Sequence, residues 1–300
     1  EYYENGGDAV IKFGWVPAME KLLDEAKSIA IKSDVVLVFA GLTEYDESEG
    51  FDKKFLSLPE NQIQMINEIY KDNNNIDVIL NHGAPLIMRE WIDNVSSVIT
   101  SFFLGQEGGN AIAKVLTGEV NPSGKLPYTI PKSWEDSPAF GNFPGTEGKV
   151  FYEEGIYVGY RYFDTKKIQP EFEFGYGISY TDFQISNISI SKNSFVKGDD
   201  ISVTVSVKNI GNRAGDEVVQ LYISDLESSV DRPKKELKKF KKLYLEPGTE
   251  KKIQFKINYD DLCYYDTITH SWKAEAGEFE IYVGNSSNDK NLQKVKITLH

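Results

Sequence analysis

"VVLVFAGLTEYDESEGFDKKFLSLPENQ", residues 35–62, joins an apolar run to a loop in which Glu44, Asp46, Glu47, Glu49 and Asp52 fall within nine positions. The run "DVVLVFAG" at 34–41 has no polar alternation and reads as a strand buried on both faces. Pro59 suits the first turn of a helix that reaches about Tyr70. In an open α/β sheet, ligands lie beyond the carboxyl ends of the strands. The acidic loop begins at such an end, so its place in the chain favours function, whereas composition alone favours a hydrated acidic surface loop.

The neighbouring segments extend the pattern in both directions. Upstream, Met19, Leu22, Leu23, Ala26 and Ala30 follow helical spacing between Pro17 and Ile31. Downstream, "IDVIL" at 76–80 is a second continuous apolar strand, and Pro85–Asp93 reads as a helix. A strand over 96–103 and a short helix over 108–118, closed by Gly118, follow. Alternating helices and apolar strands imply a mostly parallel sheet covered on both sides.

After Gly118 the character changes. "NPSGKLPYTIP" and the Tyr-, Phe- and Gly-rich span 139–180 show no sustained period. From about Asp182 the period becomes two, with Ile201, Val203, Val205 and Val207 on one face, then Ile253, Phe255 and Ile257, then Phe279, Ile281 and Val283. The turn signals "KGDD", "NIGNRAGD" and "EPGTE" separate these runs, as in an immunoglobulin-like antiparallel β-sandwich. The fold class expected is therefore α/β plus all-β. The division expected is an α/β sandwich domain over 1–135, a connector over 136–181 and a β-sandwich over 182–300.

With 46 acidic against 33 basic residues and a net charge of −13, the chain should repel nucleic acid and anionic membrane. Its apolar runs fall far short of the roughly 20 residues that span a bilayer. Cys263 is the single cysteine, which excludes an intrachain disulfide and a Cys/His zinc cluster. The opening "EYYENGGDAV" lacks Met, a basic n-region and an apolar h-region, and reads as a processed or mid-protein start. A cytoplasmic site is the default expectation, with secretion open because a leader could precede this start.

A carboxylic acid can protonate a leaving oxygen when burial or a neighbouring carboxylate raises its pKa, and "ESEG" sets Glu47 close to Glu49. Gly50 would allow close approach of backbone or substrate. A calcium loop is disfavoured, because the order lacks the alternating ligands, the sixth-position glycine and the distal Glu of an EF-hand. No metal and no cofactor is expected.

The segment 35–62 resembles the part of glycoside hydrolase family three β-glucosidases that carries the general acid/base, E-G-[YF]-D-[RK]-x-x-L-x-L-P-x-x-Q. "NHGAPL", "FLGQEGGNAIAKVLTGEVNPSGKLPYTIP", "YEEGIYVGYRYFD" and "FEFGYGISYTDF" resemble the family's later signatures, in order. "VKNIGNRAGDEVVQLYISD", "DRPKKELKKFKKLYLEPG" and "AGEFEIYVGNSS" resemble its fibronectin type III-like domain. The resemblance implies a retaining β-glucosidase that hydrolyses terminal non-reducing β-D-glucosyl residues. It assigns the acid/base to Glu49, with Glu47 and then Glu44 as alternatives, and has Asp52 brace the loop or pair with a cation rather than act on sugar. Lys53 stands where Arg is usual, which removes a bidentate fork.

Nothing in these residues resembles the family's (β/α)8 barrel or its Asp nucleophile. The implied partners are a β-glucoside and a barrel segment, on a second chain or removed from the N-terminal side, with a homo-oligomer possible. The rival readings are a non-catalytic carbohydrate- or partner-binding module, and the same chemistry on xylosides, arabinosides or N-acetylglucosaminides.

Other residues carry weaker signals. Gln106, Glu107 and His82 could reach a crevice, but a helix start and a hydrogen-bonded structural histidine explain them as well. Lys125 lacks a phosphate-loop frame. The basic run 232–242 reads as a solvated edge, the aromatics of 151–180 as interdomain packing, and Cys263 as a buried inert thiol.

Overall fold

A computed structural model describes the backbone of residues 2–5, 8–11 and 16–300, and the side chains from residue 20 onward. The chain divides into two compact units, Glu1–Gln106 and Glu107–His300.

In the first unit, β1 (Tyr2–Asn5) and β2 (Asp8–Ile11) form an antiparallel pair. Helix α1 (Val16–Ala30) leads to β3 (Val36–Gly41), α2 (Glu60–Tyr70), β4 (Ile76–Asn81) and β5 (Ser97–Thr100). The last three strands make a parallel sheet in the order β3-β4-β5. Parallel neighbours need a crossover of a dozen or more residues, and the acidic loop with α2 supplies it between β3 and β4. The amphipathic α2 buries Ile63, Ile66 and Ile69.

Central β4 is buried on both faces, with Ile76, Val78, Ile79 and Leu80 all at 2% exposure or less. Strand β3 departs from the expected double burial. Val38 and Ala40 are buried, but Leu37 and Phe39 are 45% and 62% exposed. β3 lies at the sheet edge, and among the described residues its second face is only partly covered.

The expected helix over 85–93 does not form. The Ile87 amide is taken by the Leu56 carbonyl at 2.5 Å, so the segment runs extended beside 56–58. Leu86 and Met88 are buried by it, and only Ile92–Asn94 takes a 3-10 turn. The strand expected over 96–103 stops at Thr100, because Phe102 adopts a φ of 55°.

The second unit begins with α3 (Gly108–Leu116), closed by Gly118 at a left-handed φ of 73°. A seven-residue helix α4 (Tyr160–Lys166) lies in the span that showed no period. The sandwich strands follow: β6 (Phe183–Ile190), β7 (Ser194–Phe195), β8 (Asp200–Asn209), β9 (Gly215–Asp225), β10 (Glu236–Leu245) and β11 (Glu250–Asn258). β12 (Tyr264–Asp266) and β13 (Ser271–Lys273) form a small pair, before β14 (Gly277–Gly284) and β15 (Gln293–Leu299). One sheet runs β10-β9-β14-β15-β7 and the other β11-β8-β6. The alternating residues singled out on β8, β11 and β14 meet in one core with Val219, Leu221 and Ile223 of β9.

Candidate functional site

The loop after β3 is built by local hydrogen bonds. Gly41, the last residue of β3, is gripped by the Gln62 side chain, whose amide donates to the Gly41 carbonyl and accepts its N–H, both at 2.9 Å. A Cβ on Gly41 would lie 2.2 Å from the Asn81 carbonyl oxygen, so glycine is required where β3 passes the end of β4. Asp46 accepts from the Thr43 N–H and hydroxyl, at 3.0 and 2.9 Å, which curls residues 43–46 into a turn. Asp46, not the exposed Asp52, therefore braces the loop internally.

Ser48 and Phe51 form an antiparallel bridge, so Glu49 and Gly50 occupy the two-residue tip between them. The Glu49 carboxylate stands exposed at that tip. Glu44 is also exposed, on the earlier turn. Glu47 is differently placed. Its carboxylate accepts the N–H groups of Gly83 and Ala84 at 3.0 and 2.9 Å, tying the loop to the turn after β4. A Cβ on Gly83 would lie 2.8 Å from Glu47 Oε1 and 2.7 Å from the Phe103 ring, so this approach depends on glycine.

His82 is fully buried, its ring 5.7 Å from that of Phe102. Its Nδ1 lies 2.7 Å from the Ala84 carbonyl oxygen, which assigns the ring proton to Nδ1 and leaves Nε2 an acceptor. Burial pulls the imidazole below its ordinary pKa, and the Lys53 charge adds to this, while the Ala84 carbonyl and Glu47 oppose it. Lys53 is half-buried, and burial lowers its pKa against the pull of Glu47 and Asp46. The sequence offered no sign that Lys53 turns inward. The anchoring of Gln62 was hidden within a motif match that gave it no role.

The remaining residues singled out have structural roles. Glu107 stands at the start of α3 and accepts from the Asn110 side chain, in keeping with a helix-start role. Lys125 donates to the Gly177 carbonyl at 2.6 Å and pairs with Glu217 at 2.9 Å. Within the basic run, Lys234 and Lys235 pair with Asp289, Lys238 with Glu236 and Lys239 with Asp261, so much of its charge is neutralised in place. Among the aromatics, Tyr160 stacks on Phe174 at 4.8 Å and meets Tyr222 edge-on at 5.8 Å, which is packing within the second unit. Cys263 is buried, and burial pushes its thiol pKa up.

Comparison with known proteins places this geometry. The model of the glycosyl hydrolase family 3 C-terminal domain matches residues 5–160, and that of a fibronectin type III-like domain matches 217–287. The chain belongs to glycosyl hydrolase family 3. This family 3 chain is 49% identical over 275 residues to thermostable beta-glucosidase B of Acetivibrio thermocellus, covering 92% of itself and 36% of that relative. It is 39% identical over 273 residues to an exo-alpha-(1->6)-L-arabinopyranosidase of Bifidobacterium longum, covering 91% of itself and 36% of the relative. It also resembles the crystal structure of a Bifidobacterium adolescentis beta-glucosidase, with a TM-score of 0.88 and 38% identity over 93% of this chain and 41% of that one. The family 3 chain thus spans a little over a third of the length of such relatives.

Proposed function

We propose that this chain supplies the general acid/base, Glu49, of a retaining β-glucosidase, at a site completed by a (β/α)8 barrel bearing an Asp nucleophile. The carrying observation is the division of labour between two neighbouring acids. Glu47 is committed to two backbone N–H groups, whereas Glu49 is presented at the tip of a two-residue turn with its carboxylate open. A proton donor must reach the glycosidic oxygen directly or through one water, and only a free carboxyl can do so. In the retaining cycle Glu49 protonates the departing oxygen while the nucleophile attacks, then removes a proton from the water that releases the sugar. Without the nucleophile the displacement cannot be split in two, so this chain alone should be inactive.

The test is Glu49→Gln in the enzyme form that hydrolyses β-glucosides. It should lower kcat on alkyl or oligosaccharide glucosides by about 10²–10⁴-fold. It should spare aryl glucosides with good leaving groups much more, and an unchanged rate on natural glucosides overturns the assignment.

A different glycone is the second reading. The similarity to an arabinopyranosidase favours it, because the two sugars place ring hydroxyls differently while needing the same acid. Parallel assays on β-glucosides, β-xylosides and α-L-arabinopyranosides separate the two.

A further inference from the structure

The hairpin of β12 and β13 has two unlike faces. On one, the Tyr264 hydroxyl donates to Glu275 at 3.2 Å, and the Arg232 guanidinium lies 5.7 Å from the Tyr264 ring. Successive strand residues point to opposite faces, so Tyr265 and Trp272, which are register partners, share the other. There they stand 48% and 68% exposed, in edge-to-face contact with centroids 5.7 Å apart and planes at 74°. In such a contact the ring that offers its edge keeps both its faces clear of its partner. Among the described residues neither the Tyr265 hydroxyl nor the Trp272 indole N–H takes a hydrogen bond. The turn beside them is fixed in shape, because Asp266 accepts the Ile268 N–H and the Thr269 hydroxyl, both at 2.9 Å.

The size of this face decides what it fits. A stable protein interface takes about 800 Å² from each partner, and an aromatic side chain covers about 150–250 Å². Two rings and the exposed Ile268 fall short of that, since Thr267, Thr269 and His270 make up the rest of the turn. Nucleic-acid bases also stack on such rings, but a chain of net charge −13 repels their phosphates. A β-glucopyranose carries its hydroxyls equatorially. Its C–H faces therefore stack on an aromatic ring, while its rim offers partners to a phenol and an indole N–H.

We propose that the Tyr265–Trp272 face of this hairpin is a binding platform for β-linked glucan chains, carried by the second unit. The choice of a β-glucan rests on the β-glucosidase reading above. A platform of two rings holds one sugar residue weakly, so it favours a polymer that presents many residues over a short glucoside.

The test is affinity electrophoresis of the 300-residue chain in native gels containing hydroxyethylcellulose, with dextran as the α-linked control. The cellulose derivative should retard wild type and dextran should not. Trp272→Ala should weaken retardation about tenfold, read as the apparent Kd, and Trp272→Tyr should keep much of it. Should Trp272→Ala lower the thermal midpoint, Trp272→Gln and Tyr265→Ala are judged by the same outcomes. No retardation of wild type, equal retardation by dextran, or retardation of Trp272→Ala equal to wild type overturns the platform. So does a changed sedimentation coefficient in Trp272→Ala with retardation intact, which marks a protein contact instead.

Glu49→Gln separates the two claims, because it should leave retardation as in wild type while lowering hydrolysis in the active enzyme form. Retardation lost in Glu49→Gln and kept in Trp272→Ala defeats the platform alone. Unchanged hydrolysis in Glu49→Gln, with retardation lost in Trp272→Ala, defeats the acid assignment and supports the platform.

Discussion

Glu47 shows how a charged side chain can be structural inside a loop that looks catalytic from end to end. Its carboxylate satisfies two amides that would otherwise go unpaired where the chain leaves β4. Glu47→Ala removes the acceptor and should destabilise the first unit by about 1–3 kcal/mol, read from urea unfolding of the chain. Gly83→Ala should reproduce the effect from the other side by driving Cβ into Glu47 and the Phe103 ring. At this scale the sequence distinguished the acids only through the E-G-F-D frame. It placed Glu49 directly before the glycine, but hydrogen bonding to residues 36 and 37 positions away cannot be read from a local pattern.

At the scale of elements, the apolar run of β3 was legible as a strand and misleading as to burial. Periodicity reports which residues could be covered, while sheet order decides which are. β4 has a strand on each side and β3 has only one among the described residues. Phe39→Ser should therefore change the stability of this chain by less than about 0.5 kcal/mol, as for other surface substitutions. Ile79→Ala, at the register partner of Phe39 on the central strand and in a fully packed place, should lower it by about 2–5 kcal/mol in the same urea titration. The missing 85–93 helix has a related cause. Its apolar spacing fits a helix, but a long-range bond from Ile87 to Leu56 wins over local propensity.

For the whole molecule, the change from 3.6-residue to two-residue periodicity near Asp182 announced two kinds of architecture. The all-β part was the more legible, because each alternating run kept one face in a single core. What the sequence concealed was how charge is organised in the second unit. Lys235, fully buried, meets Asp164 at 2.5 Å and Asp289 at 2.9 Å, joining α4 to the sandwich. Glu275 is held down at about 2, against an ordinary 4.5, chiefly because the Ser229 hydroxyl donates to it at 2.6 Å and the Ser229 N–H at 2.9 Å.

A carboxylate whose folded pKa is depressed adds stability that is complete above its unfolded value and is lost as pH falls through the folded one. The thermal midpoint should therefore decline between about pH 4.5 and pH 2. Ser229→Ala should make that decline shallower, as followed by circular dichroism across the acid range.

The bond from Glu47 to the 82–84 turn also bears on transplantation. The acidic loop is not a self-sufficient cassette: half of what shapes it is carried by a segment that follows the next strand. Moving residues 43–62 alone into another sandwich domain would carry over Glu49 without its orientation, whereas moving them together with His82, Gly83 and Ala84 would carry the acid and its mould as one piece.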